Sequence, residues 1–168
     1  MSILVLGIGN LIMSDDGIGV KVVQLLAERF VFPPEVTVLD GGTLGLDLLP
    51  RLEGVERLLL VDAVESAKAP GTVVRLSGEE VPTALETKIS PHQMGLKDLL
   101  AVAMLQGFAP QEMVLWGVQP AAIHLGTELS AAVAGRLEEL AGKILAELAG
   151  WGVTALPCRT PSPVSEES

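Results

Sequence analysis

Cysteine occurs once in this 168-residue chain, at Cys158, tyrosine is absent, and there are only three phenylalanines and two tryptophans. A lone cysteine excludes an internal disulfide. Hydrophobic residues make up 49% and aromatics 3%, so the core has to be built from Leu, Val, Ile and Ala. No apolar run approaches the roughly eighteen residues of a membrane span. Met1-Ser2 leads directly into an apolar segment, so no signal peptide is expected. Positive charge is also scarce: 11 Lys and Arg stand against 21 Asp and Glu, a formal net charge of −10. That balance argues against nucleic acid as a partner and is compatible with a basic protein or a cation. The expectation is a cytoplasmic enzyme or binding protein with no membrane partner. Its length suits one domain, residues 1–156, with a sizeable core. Residues 157–168, with three prolines, three serines and no apolar period, are expected to form a disordered tail.

The start of the chain, ILVLGIGNLIMSDDGIG, organises the rest. Ile3 to Leu6 is long enough for a strand buried on both faces and too short for a helix. Gly7 and Gly9 permit a sharp turn. After Ser14-Asp15-Asp16-Gly17, apolar residues at Ile18, Val22, Leu25 and Leu26 have helical spacing. Leu25 and Leu26 should be buried and Lys21 exposed. Gly7-Ile8-Gly9 begins like a dinucleotide-binding fingerprint. The third position is Ile12, however, and two acids stand where a pyrophosphate would need a positive helix end. Asp15 and Asp16 therefore read either as helix caps or as ligands of a cation.

Further along, Pro33-Pro34 interrupts the helix, and Val36, Val38 and Leu39 form a second strand that ends at Asp40-Gly41-Gly42-Thr43. Leucines from Leu44 to Leu52 suggest a short helix. Arg57 to Val61 is a third strand, stopping at Asp62. Val73, Val74 and Leu76 make a fourth, and Ser77 to Ser90 reads as irregular. A helix from about Gly95 to Gln106 follows His92. Val114 to Val118 is a fifth strand, ending at Gln119, and one long helix spans Glu128 to Leu148. Strands alternating with helices imply a three-layer α/β/α sandwich around a five-stranded, mostly parallel sheet. The connection from the third to the fourth strand is too short for a helical crossover, so the fourth strand should run antiparallel.

In such sheets chemistry collects beyond the carboxyl ends of the parallel strands. Asn10 and Asp15-Asp16 follow the first strand, Asp40 the second, Asp62 the third and Gln119 the fifth. Several carboxylates at one rim repel one another unless a cation or hydrogen-bond donors offset them. Of the two histidines, His124 carries no assigned role. His92 would contribute if its loop folds over the carboxylates. Two carboxylates and an imidazole would leave open positions on a divalent metal, the mark of a site that acts on something. No HExxH or GxSxG sequence is present to support a zincin or serine-hydrolase reading.

The segments ILVLGIGNLIMSDDGIG, LDGGTLGLDLLP, LLLVDAV, APGTV, KISPHQMGLKDLL and WGVQP, in this order and spacing, resemble the hydrogenase maturation endopeptidases. The resemblance spans about Ile3 to Pro157. It implies a sheet order of 2-1-3-5-4 and removal of a C-terminal extension from the large-subunit precursor of a nickel-iron hydrogenase. It also implies that Asp16, Asp62 and His92 are the catalytic and metal-binding residues. Members of the family often have glutamate where this chain has Asp16. Asp40 lies in the DGGT motif, which implies a positioning role toward substrate or metal beside a plain turn role. The nickel is implied to be carried by the substrate, and other divalent ions could occupy the site. Two other classes stay open on the residues: a non-cleaving, nickel-dependent chaperone or scaffold for the precursor, and an aminopeptidase with its own tightly bound metal.

Overall fold

A computed structural model describes residues 1–41, 49–85 and 96–158. The first apolar run forms β1 (Ile3–Gly7), followed by a 3-10 turn (Ser14–Gly17) and α1 (Ile18–Arg29). After β2 (Phe30–Val31) come β3 (Val36–Asp40), α2 (Leu49–Leu52), β4 (Arg57–Ala63), β5 (Val73–Ser77) and α3 (Glu80–Leu85). The chain continues through α4 (Leu96–Leu105), β6 (Glu112–Val118), α5 (Ala131–Ala134), α6 (Leu137–Gly150) and β7 (Leu156–Pro157).

Among the described residues five strands form one sheet in the order β3-β1-β4-β6-β5. β1 lies parallel to both β3 and β4, and β4 is parallel to β6. β5 pairs antiparallel with β6, as its short connection requires. The sheet is buried on both faces, which is why its central strands read as unbroken apolar runs. Side chains nevertheless alternate. Ile3, Val5, Leu59 and Val61 pack with α1 and α6, whereas Leu4, Leu6, Leu58 and Leu60 pack with α2, α3 and α4. The result is the expected three-layer α/β/α sandwich. Edge strand β5 is tied to the first helical layer by Arg75, whose guanidinium grips Glu147 of α6 with two donors.

Several boundaries differ from expectation. β4 does not stop at Asp62: that residue is inside the strand, opposite Gly117. Ser77 to Ser90 is not wholly irregular, because α3 forms within it. Pro82 is the third residue of that helix, in the first turn, where its missing N–H costs nothing. Glu80 reaches back to accept the Ser77 N–H at 3.1 Å, a cap in the manner of a capping box.

The long C-terminal helix is two helices. Ser130 is extended, with its N–H committed to Asp15, so no helix can run through it from Glu128. Gly135 and Arg136 then separate α5 from α6. In α1, Val22 and Leu26 are buried as expected, but Leu25 is only half-buried. Lys21 is half-buried too, its ammonium donating to the Thr127 carbonyl at 3.0 Å. Pro157 and Cys158, assigned above to the tail, contact the body. Phe30 pairs with Pro157, and Cys158 donates its N–H to Arg29 at 2.7 Å, so the strand contact holds both residues to the body. His92, Leu44 to Leu48 and residues 159–168 lie outside the described residues.

Candidate active site

Two glycines explain how the first loop reaches the sheet edge. Gly9 has φ +127°, and a Cβ there would fall 1.7 Å from the Asp16 carbonyl oxygen. A Cβ on Gly19 would fall 2.1 Å from the Val61 carbonyl oxygen. The glycines thus serve close packing of the 3-10 turn and α1 onto β1 and β4, not the approach of a nucleotide.

That packing sets Asp16 beside the end of β4. Asp16 is half-buried, and its Oδ2 accepts the Asn10 N–H at 2.9 Å. Two residues before Asn10, Ile8 donates its N–H to the Val61 carbonyl at 3.0 Å. Asp62, the next residue, is fully buried, and its Oδ1 accepts the Ala63 N–H at 2.7 Å. Both carboxylates therefore belong to the carboxyl edge of two adjacent parallel strands. Asp40 is the register partner of Gly7 on the far flank of β1 and is exposed. By alternation it shares the face of Val36 and Val38, toward α1, whereas Asp62 shares the face of Leu58 and Leu60. Asp16 thus lies in the turn after β1 and Asp62 near the end of the neighbouring β4, whereas Asp40 ends β3 on the other flank of β1. His92 lies outside the described residues, but α4, which begins at Leu96, packs through Leu100 on the same face as Asp62. Among the described residues, no group of three or more His, Cys, Asp or Glu could hold a metal ion.

Composition and spacing read Asp15 and Asp16 alike, the resemblance points to Asp16 alone, and the structure gives Asp15 a role of its own. Asp15 is fully buried and serves as an anchor. Its Oδ2 accepts the N–H groups of Ala121 and Ala122 at 2.8 and 3.1 Å and the Ser130 hydroxyl at 2.9 Å; its Oδ1 accepts the Ser130 N–H at 2.7 Å. Burial pulls its pKa upward, but the donations from Ser130, Ala122 and Ala121 outweigh that pull and hold the carboxyl below the usual range. Ser14 extends the clamp: its hydroxyl donates to the Ala122 carbonyl and accepts the His124 N–H, both at 3.0 Å. His124 belongs to this clamp through its backbone, and its ring is exposed. Gln119, buried at the end of β6, fixes the loop after β4. Its Oε1 accepts the Ser66 N–H at 2.7 Å and the Ser66 hydroxyl at 3.0 Å. A polar residue ending a buried strand was the signal for Gln119; composition and spacing did not distinguish Asp15 from Asp16, and only the resemblance did.

Fold and carboxylates together define an α/β protein with acidic side chains at the carboxyl edge of a mostly parallel sheet. Comparison with known proteins makes this specific. The family model described as HycI, hydrogenase maturation protease, matches residues 20–147. The hydrogenase 2 maturation protease of Escherichia coli K12 is 41% identical over 158 residues, covering 94% of this chain and 96% of that protein. The hydrogenase expression/formation protein HupD of Rhodobacter capsulatus is 42% identical over 153 residues, covering 90% and 73%. The solved structure of the hydrogenase maturating endopeptidase HybD from E. coli superposes with a TM-score of 0.88 at 40% identity, covering 94% of this chain and 98% of that one. The chain belongs to the hydrogenase maturation protease family, and it is a peptidase.

Proposed function

We propose that this protease removes the C-terminal extension of a nickel-loaded large-subunit precursor of a nickel-iron hydrogenase. Asp16, Asp62 and His92 would complete the coordination of nickel already seated in the precursor. The observation that carries this reading is that Asp16, in the turn after β1, and Asp62, near the end of β4, follow from adjacent parallel strands. α4, which begins four residues after His92, packs through Leu100 on the face that holds Asp62. Two carboxylates and an imidazole suit a divalent first-row ion and leave positions for the precursor's own ligands. Sharing the ion would make cleavage conditional on loading. Asp62, fully buried, is suited to anchoring, and Asp16, half-buried at the mouth, to taking a proton from attacking water. The names of the relatives, a hydrogenase 2 maturation protease and hydrogenase formation proteins, support a hydrogenase precursor as substrate.

The test is incubation of the protein with a large-subunit precursor, with and without nickel, followed by mass spectrometry. A shortened product only in the nickel-loaded sample is expected. Equal shortening without nickel would contradict recognition of the ion, and no shortening in either would contradict the cleavage itself.

A further inference from the structure

On the sheet face that carries Asp62, an open groove of ≈ 540 Å³ lies between β5, α3 and the segment that follows β4. Its floor is apolar and includes Val64, Val74 and Leu76. Gly117 of β6 sits beneath the two valines: a Cβ there would fall 2.6 Å from Val64 Cγ2 and 3.3 Å from Val74 Cγ2. Its bare backbone lets them close over the sheet. The rim is acidic. Among the described residues, Glu65, Glu79 and Glu80 are exposed along it, with Lys68 as the one cation.

The groove adjoins the candidate site. Val64 donates its N–H to the Val118 carbonyl at 2.9 Å, which carries the β4–β6 ladder past the strand end. Residues 62 and 64 therefore share a face, about 7 Å apart. The nearer end of the groove is built firmly, because Gln119 holds Ser66 through its Oε1 and donates from Nε2 to Glu65 at 3.0 Å.

We propose that this groove binds an extended segment of the protein substrate in which apolar and basic residues alternate, next to the bond that is cut. This rests on the proteolytic reading above. Alternate side chains of an extended peptide project to opposite sides, so apolar ones fill the floor while lysine or arginine meets the glutamates. Like charge rejects an acidic segment. The net charge of −10 gives the chain a long-range bias toward the same basic partner.

The test uses the full isotope-labelled chain, without nickel or precursor, titrated with two synthetic hexapeptides of alternating Val-Lys and alternating Val-Glu and followed by amide NMR. The Val-Lys peptide should shift the amides of Val74, Leu76 and Thr83, and the Val-Glu peptide should not. Glu79→Lys, at an exposed position, should raise the Kd at least about five-fold with an unchanged circular dichroism spectrum, while His124→Ala leaves it unchanged. With precursor as substrate, Glu79→Lys should raise KM and leave kcat alone. Equal binding of both peptides, shifts confined to other surfaces, or an unaltered Kd in Glu79→Lys would overturn the proposal. The two readings fail separately. Cleavage of loaded precursor without peptide binding removes the groove and leaves the protease. Groove binding without cleavage does the reverse.

Discussion

Asp15 and Ser130, 115 residues apart, are joined twice, Ser130 donating its N–H to Oδ1 at 2.7 Å and its hydroxyl to Oδ2 at 2.9 Å. This pair, with the N–H groups of Ala121 and Ala122, ties the loop after β6 to the turn that carries Asp16. The immediate neighbour of a proposed catalytic carboxylate is thus locked by four donors, which limits how far Asp16 can drift.

Asp15→Asn should therefore destabilise the fold by about 1–3 kcal/mol, because an amide nitrogen would face N–H donors in a buried position. The native carboxyl has a pKa held below its unfolded value. Its contribution is full above the unfolded pKa and is lost as pH falls through the lower, folded one. Denaturant unfolding of the native protein should accordingly show a loss of stability below about pH 4, and the Asn variant a smaller one. Identical pH profiles would contradict the anchor role.

Leu26 is fully buried between α1 and the sheet, whereas Leu105, at the end of α4, is 87% exposed. Leu26→Ala should cost about 2–5 kcal/mol in chemical denaturation, as large-to-small core changes do. Leu105→Ala should stay within about 0.5 kcal/mol. Comparable losses at the two positions would contradict the assigned layers.

Truncation after Cys158 should leave the melting temperature unchanged, because it keeps the Phe30–Pro157 pairing and the Cys158 N–H bond to Arg29. Truncation after Ala155 removes both and should lower the melting temperature measurably. If the shorter deletion lowers it as much as the longer one, residues 159–168 carry stability that their composition does not suggest.

The sheet was legible in the sequence because strands buried on both faces are plain apolar runs, and the short link from Val61 to Val73 dictated the antiparallel strand. The position of Asp62 near the carboxyl end of its strand was legible because strand ends in an α/β fold are few and acids there conspicuous. What was hidden depended on distant partners. The break before α5 follows from Ser130 giving its donors to Asp15, a contact with no local signature. α3 was masked by Pro82, which is harmful inside a helix and harmless in its first turn. The separation of Asp40 from Asp62 arises from strand order and alternation, since β1 lies between their strands and the two residues have opposite facing.

The central claim is that Asp16, Asp62 and His92 act as one site on the nickel-loaded precursor. The most direct measurement is mass spectrometry of that precursor after incubation with Asp16→Asn, Asp62→Asn and His92→Ala, each checked for folding by circular dichroism. All three should fold and leave the precursor uncut, His124→Ala should cut it as the native protein does, and Asp40→Asn should retain part of the activity. Cleavage at the native rate by folded His92→Ala or Asp62→Asn would contradict the account.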